Sequence, residues 1–289
     1  MPPPDLRQSR EGPQVSASPI KTLGPDFAET DVSFLCPQPA QVADCGLGYN
    51  AYVIVLSIDT CDSRGSVALL REDSALALIR HETTDEYSSW LLPAVNEALK
   101  KAGLSMKEVS GYAVAAGPGS FTGVRVGLTT VKAWAEVYGK PVSAVSRLEG
   151  FAAQANDSSD HVAAFVDAQR GQVFGAVYRK NGGDLVGVGE EMVIAPGKFV
   201  ETAAELAGGG RIAWASPDKG LVVGEAAWKD RERRGERIEC VSPILAGIVG
   251  RIGLRRLEAG RTTDSLALDA NYVRRSDAEI FWKGAAHGH

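Results

Sequence analysis

The sequence carries no excess of positive charge: 31 Lys and Arg stand against 36 Asp and Glu, a formal net charge of −5. A protein holds a polyanion chiefly by neutralising its phosphates, so this balance argues against a free-standing nucleic-acid binder. Cysteine is scarce. Cys36, Cys45, Cys61 and Cys240 form no C-x-x-C pair, and ahead of the last three residues the histidines are His81 and His161, far apart in the chain. Neither a disulfide framework nor a zinc site is expected, and a reducing cytoplasm is the simpler setting. No run of 18 apolar residues occurs, and the N-terminus has no basic segment leading into an apolar one, which argues against a membrane span and a secretory leader. Also missing are H-E-x-x-H, G-x-S-x-G, a Walker loop and G-x-G-x-x-G. No catalytic residue and no metal ligand is assigned from the sequence.

What is there reads as a globular α/β protein. Hydrophobic residues make up 44% and charged residues 23%, enough apolar material for a large core in 289 residues. Residues 1–50 stand apart, with eight of the fourteen prolines, no tryptophan and no periodicity. Such a segment cannot offset its ordering entropy by burial and is expected to be a disordered extension. A rival reading starts the native chain near Val53.

From Tyr52 onward the pattern changes. Val53, Val55, Leu56 and Ile58 form a β-branched run ending at Asp59, and residues 66–70 and 75–79 supply two more strands around a polar turn. A helix over 86–102 stops at Gly103. A strand over 112–116, a glycine-rich loop, a helix over 121–138 and a strand over 142–145 complete a first lobe, residues 51–155. The second lobe, 156–289, begins with strands 162–166 and 172–178, and a third lies within 185–193. Then come a helix near 198–207, strands at 212–215 and 221–223, and a helix over 243–258. Asp59 and Asp167 each end a strand that leads into further strands, a weak internal repeat that fits two lobes of one plan.

Two stretches are candidates for function. Asp59 and Thr60, at a strand end before Ser66 and Val67, resemble the first phosphate hairpin of the actin/hexokinase superfamily, where an acid holds a metal-bound nucleotide. A bare turn-capping role for Asp59 is the alternative, and the bulky, acidic residues 61–64 weaken the nucleotide reading. The loop at 117–120 could bring backbone amides to an anion at a helix N-terminus. Equally, Gly123 and Gly127 lie one helical turn apart and could bare backbone for another helix.

The two helices are apolar over most of their circumference. Tyr87, Trp90, Leu91, Ala94 and Val95 line one side of the first; Val124, Leu128 and Val131 line the second, with Val126, Ala133 and Trp134 on its flank. A sheet covers only one side of a helix. Either both are buried within a monomer, or they form a partner interface anchored by Tyr87, Trp90 and Trp134. On the interface reading, Trp90→Ala or Gly127→Trp abolishes docking and spares the fold. The Arg231, Arg233, Arg234 and Arg255, Arg256 clusters are interleaved with acids and are expected to be solvated.

Five runs together resemble the TsaB (YeaZ) family. They are Leu-Ser-Ile-Asp-Thr at 56–60, Leu-Leu-Pro at 91–93, Ala-Gly-Pro-Gly-Ser-Phe-Thr-Gly-Val-Arg-Val-Gly at 116–127, Val-Asp-Ala-Gln-Arg-Gly-Gln-Val at 166–173 and Tyr-Val-Arg-Arg at 272–275. The resemblance spans about residues 52–282. It implies an actin/hexokinase-like (ASKHA) two-lobed α/β fold with mixed sheets flanked by helices. It also implies a non-enzymatic subunit that binds and activates its paralogue TsaD, the transferase of tRNA N6-threonylcarbamoyladenosine modification. TsaD holds a metal partly through a histidine pair, and nothing in this chain matches that pair. The TsaE ATPase joins the complex, the subunit homodimerises when alone, and tRNA is met only through the complex. The docking surface implied is the two first-lobe helices: Tyr87, Trp90, Leu91, Ala94, Val95, Gly123, Gly127, Val131 and Trp134. Asp59 and Thr60 become a vestigial phosphate loop, with no cofactor of the chain's own and weak nucleotide binding at the partner interface left open. Tyr87 departs from the histidine often found before Leu-Leu-Pro. The alternatives are an ASKHA-fold small-molecule kinase and, less favoured, a glycoprotease-like metallopeptidase.

Overall fold

A computed structural model describes residues 52–265, 267–271 and 273; the extension over 1–50 and Tyr272, Arg274 and Arg275 of the closing motif lie outside the described residues. Strands β1 (Ile54–Asp59), β2 (Ser66–Arg71) and β3 (Ser74–Arg80) form an antiparallel meander. β4 (Gly111–Ala115) and β5 (Val142–Val145) join in parallel on the other side, giving the order β3-β2-β1-β4-β5. β1 and β4 are buried along their whole length, which is why their sequences run apolar without alternation.

Helices α1 (Tyr87–Ala102) and α2 (Phe121–Tyr138) cover one face of this sheet. Both end on a left-handed glycine, Gly103 at φ 66° and Gly139 at φ 60°, a conformation open to glycine at little cost. α1 buries Leu91, Ala94, Val95, Ala98 and Leu99, and α2 buries Gly123, Val124, Gly127, Leu128, Val131 and Ala135. The best apolar stripe of each helix therefore faces its own sheet.

A short helix, α3 (Arg147–Ala152), leads into the second sheet. Strands β6 (His161–Asp167), β7 (Val173–Asn181), β8 (Asp184–Gly187), β10 (Ile212–Ser216) and β11 (Ile238–Cys240) are ordered β11-β10-β6-β7-β8, and β9 (Met192–Ile194) pairs with β7. Helices α4 (Pro196–Leu206), α5 (Gly220–Val223) and α6 (Ala226–Arg233) accompany it. An aromatic chain, Phe165–Phe199–Trp214–Trp228, fills that core with ring centroids 5.7, 6.1 and 5.4 Å apart.

The last helix, α7 (Ala246–Glu258), was expected with the second lobe but packs on the first sheet. It lies on the face opposite α2: Ser57 Oγ donates to the Ala246 carbonyl at 2.5 Å, and a Cβ on Gly253 would strike the Ala113 side chain. A core of helix, sheet and helix layers results.

Three local expectations are corrected. Residues 221–223 are helical, because three apolar residues carry no period that separates helix from strand. The stretch 185–193 splits into β8 and β9. Arg231 is not solvated, forming a buried pair with Glu236 at 2.6 Å, and Arg256, half-buried, grips both oxygens of Glu149 at 2.7 and 2.6 Å.

Candidate functional site

β1 delivers Asp59 into a fully buried position at the start of the hairpin. Its Oδ1 accepts the Cys61 amide at 2.9 Å, and its Oδ2 faces Nε of Arg147 at 3.7 Å. Arg147, only 2% exposed, is the first residue of α3, whose N-cap Ser146 accepts the Leu148 amide at 3.1 Å. This helix is not among the expected elements, although the Ser-x-x-Glu spacing of Ser146 and Glu149 is a helix-start signal. Arg147 Nη2 also donates to Asp62, which in addition pairs with Arg64 at 2.8 Å. Burial pushes the Asp59 carboxyl up, and Arg147 pulls it back. Burial acts on Asp62 in the same sense, but Arg147 and Arg64 outweigh it and hold that carboxyl below its ordinary value. The counter-charge of this hairpin is thus a guanidinium of the same chain.

The glycine loop is committed to the same hairpin. Ser120 donates its amide to the Cys61 carbonyl at 2.6 Å, and Thr60 Oγ1 donates to the Gly123 carbonyl at 2.7 Å. A Cβ on Gly119 would overlap the Cys61 carbonyl, one on Gly123 the Thr60 carbonyl, and one on Gly127 would lie 2.6 Å from Thr60 Oγ1. The expectation that Gly123 and Gly127 bare a strip for a foreign helix is overturned. They let α2 close on its own hairpin, so Gly127→Trp would break the fold before it reached any docking surface.

A cleft of about 850 Å³ opens beside the hairpin, and Arg64, Arg147, Arg170, Asp62, Asp167 and Asp218 contribute to its lining. Asp167 ends β6 as Asp59 ends β1; Asp167 lines the cleft, whereas Asp59 is buried behind it and only the residues that follow, Cys61 to Arg64, reach its lining. The Asp167 carboxylate accepts the Gln169 amide at 2.7 Å and the Gln169 side chain at 2.9 Å. Among the described residues no cluster of three His, Cys, Asp or Glu side chains could hold a metal.

On the outer side of α1 and α2 runs a groove of about 720 Å³. Leu91 forms its floor. Tyr87, Ser88 and Leu92 rise from α1, while Phe121, Thr122, Arg125, Val126, Thr129, Thr130, Ala133 and Trp134 rise from α2. Leu92 is 55% exposed and Phe121 47%, and the Arg125 guanidinium sits 3.6 Å over the Phe121 ring. Phe121 also lines the cleft, so its ring stands between the two hollows. Of the expected docking residues, Tyr87, Leu91 and Trp134 line this groove. Trp90 packs instead against His81 and Tyr87, with centroids 4.9 and 5.8 Å away. Ala94, Val95, Val131, Gly123 and Gly127 are buried toward the sheet and present nothing to a partner. Leu92, Phe121 and Val126 were missed as site residues. Their signal was that they lie off the main apolar stripe, where an apolar residue has no sheet to cover it.

Comparison with known proteins agrees with this architecture. The sequence profile described as "TsaD: tRNA N6-adenosine threonylcarbamoyltransferase" matches residues 80–227. The tRNA threonylcarbamoyladenosine biosynthesis protein TsaB of Bacillus subtilis is 39% identical over 129 residues, covering 44% of this chain and 56% of that protein. The TsaB of Escherichia coli is 32% identical over 157 residues, covering 53% of this chain and 68% of its own length. The chain belongs to the TsaB (YeaZ) family. The structure of YeaZ from Pseudomonas aeruginosa superposes with a TM-score of 0.61 at 25% identity over 76% of this chain and 99% of that one. The fold is accordingly that of YeaZ, with mixed sheets flanked by helices as expected, and the match to a TsaD profile fits a TsaB chain that is a paralogue of the transferase.

Within this TsaB-family chain, Tyr87 has a specific place. Its hydroxyl donates to the Asp62 carbonyl and accepts the Gly65 amide at 2.8 Å, so α1 is tied to the hairpin at its first residue. Among the described residues no helix is long and apolar enough to cross a membrane.

Proposed function

We propose that this chain is a non-catalytic subunit that docks onto a TsaD-type transferase through the α1/α2 groove and holds that enzyme in its active conformation during tRNA threonylcarbamoyladenosine biosynthesis. One observation carries the reading: an open groove with Leu92 and Phe121 exposed on its rim lies beside a phosphate hairpin that Arg147 has closed from within. Exposed apolar residues around a groove between two helices fit an apolar helix face of a partner. A hairpin whose acid is engaged by the Cys61 amide and Arg147 is poorly placed to hold a metal-bound phosphate, which disfavours a small-molecule kinase.

Binding alone can activate. A partner that favours one conformation of the transferase raises its population by the difference in affinity, with no chemistry on this chain. The net charge of −5 suits a subunit that meets tRNA through the complex, in the cytoplasm and with the TsaE ATPase joining. In the absence of the transferase the same groove would seat a second copy. Titration calorimetry of the full chain with its cognate TsaD-type transferase tests the proposal. Saturable binding that Leu92→Asp abolishes supports it. No binding by the unaltered chain, or turnover of ATP or a sugar by the chain alone at an enzyme-like rate, would overturn it.

A further inference from the structure

The hairpin and the groove share one chain of contacts. Arg147 holds the Asp62 side chain, the Asp62 carbonyl holds the Tyr87 hydroxyl, and Tyr87 is the first residue of α1 and a wall of the groove. On the other wall, Ser120 and Gly123 are fixed to the Cys61 and Thr60 positions of the same hairpin, immediately beside Phe121. Both walls of the groove are therefore hung on residues 60–65. Against that segment the buried Arg147 lies between the Asp59 and Asp62 carboxylates, and among the described residues its Nε and Asp59 Oδ2 have no hydrogen-bond partner.

We propose that Arg147 is a positioning residue for docking: through Asp62 and Tyr87 it fixes α1 against the hairpin and so sets the width of the α1/α2 groove. The inference rests on reading that groove as the partner surface. Physically, a buried guanidinium hydrogen-bonded to one carboxylate and facing a second has few alternative placements, because each departure leaves a charge desolvated and unpaired. A cluster inherited at a phosphate-hairpin position thereby serves as an internal brace. Tyr87 in place of a histidine fits this use, since its hydroxyl reaches both Asp62 and Gly65.

Removing Arg147 alone would leave Asp59 buried without a cation, so Arg147→Met confounds fold and docking; the informative variant is Arg147→Met with Asp59→Asn. That pair removes one charge of each sign and leaves Asp62 to Arg64. Denaturant stability is expected to return close to that of the unaltered chain. Affinity for the TsaD-type transferase should still fall about tenfold, and the Gly65 amide, which Tyr87 accepts, should exchange with solvent faster. Tyr87→Phe should reproduce the affinity loss and the fast Gly65 exchange. If affinity and Gly65 exchange instead return together with stability, or Tyr87→Phe changes neither, the brace does not exist. If the unaltered chain fails to bind the transferase, the docking reading falls, and the Gly65 and Ser120 exchange rates in the same variants still decide whether Arg147 holds the groove walls.

Discussion

Gly127 of the second helix rests against the Thr60 side chain, whose hydroxyl donates to the Gly123 carbonyl one turn earlier at 2.7 Å. Helix and hairpin are so close that a methyl group has no room. Gly127→Ala should destabilise the chain by about 1–3 kcal/mol, the usual range for overpacking a filled site. Thr60→Ala opens the space, so in the double variant the two effects should be far from additive. Urea unfolding of the four proteins checks this, and strict additivity would mean that the contact is not the source of the strain.

The second core is anchored by a buried polar cluster rather than by the aromatic chain alone. Glu236 accepts the Trp214 indole at 2.6 Å and two donors of Arg231 at 2.8 and 2.6 Å, and Arg231 also reaches the Gly210 carbonyl at 2.7 Å. Glu236→Ala strands a buried guanidinium and an indole N–H, and should cost about 3–5 kcal/mol. Arg231→Met combined with Glu236→Gln, which strands no charge, should cost clearly less. Equal losses in the two proteins by denaturant melts would argue that packing, not charge, dominates there.

Stability should also depend on pH through Glu191. This residue accepts the Ser146 and Tyr178 hydroxyls and the Asn271 amide at 2.7 Å. Burial nevertheless pushes its carboxyl above the ordinary 4.5, the three hydrogen bonds pulling it only part of the way back. An acid whose pKa is raised by folding binds more protons in the native state than in the unfolded one. Its contribution is fully present below about 4.5 and is lost as pH rises through the folded value. Glu149, also raised by burial and pulled back by Arg256, adds a slope of the same sign. Glu191→Gln should flatten the decline above pH 4.5 when stability is measured by urea titration at stepped pH; an unchanged slope would exclude Glu191 as its source.

Exposed apolar residues separate surface from core. Val137, on α2 but outside the groove, is 75% exposed. Val137→Asp should leave both stability and partner binding within error, whereas Phe121→Asp should weaken binding at least tenfold with little change in the melting temperature. A matched loss from both substitutions would point to a different docking face.

The frame of the molecule was legible because its signals are local. The β-branched run ending at Asp59 is β1, and Gly103 and Gly139 stop their helices where a left-handed residue is required. What could not be read depends on partners distant in sequence. Nothing near Arg147 announces that its counter-ion is Asp59, 88 positions earlier, or that α7 returns to the first sheet. The same limit governed the groove. Periodicity identified the strongest apolar stripe on each helix, but a stripe does not say whether it meets the protein's own sheet or a stranger. Ala94, Val95 and Val131 meet the sheet, and Leu92 and Phe121 are left to face outward.

The most direct measurement is tRNA threonylcarbamoyladenosine formation by the reconstituted complex, followed alongside binding, with one variant in the groove and one in the cleft. Leu92→Asp, which touches only the groove, should abolish both binding and modification. Asp167→Asn, which touches only the cleft, should leave both at the level of the unaltered chain. Modification that survives Leu92→Asp but collapses with Asp167→Asn would contradict the account, because the work would then be done in the cleft.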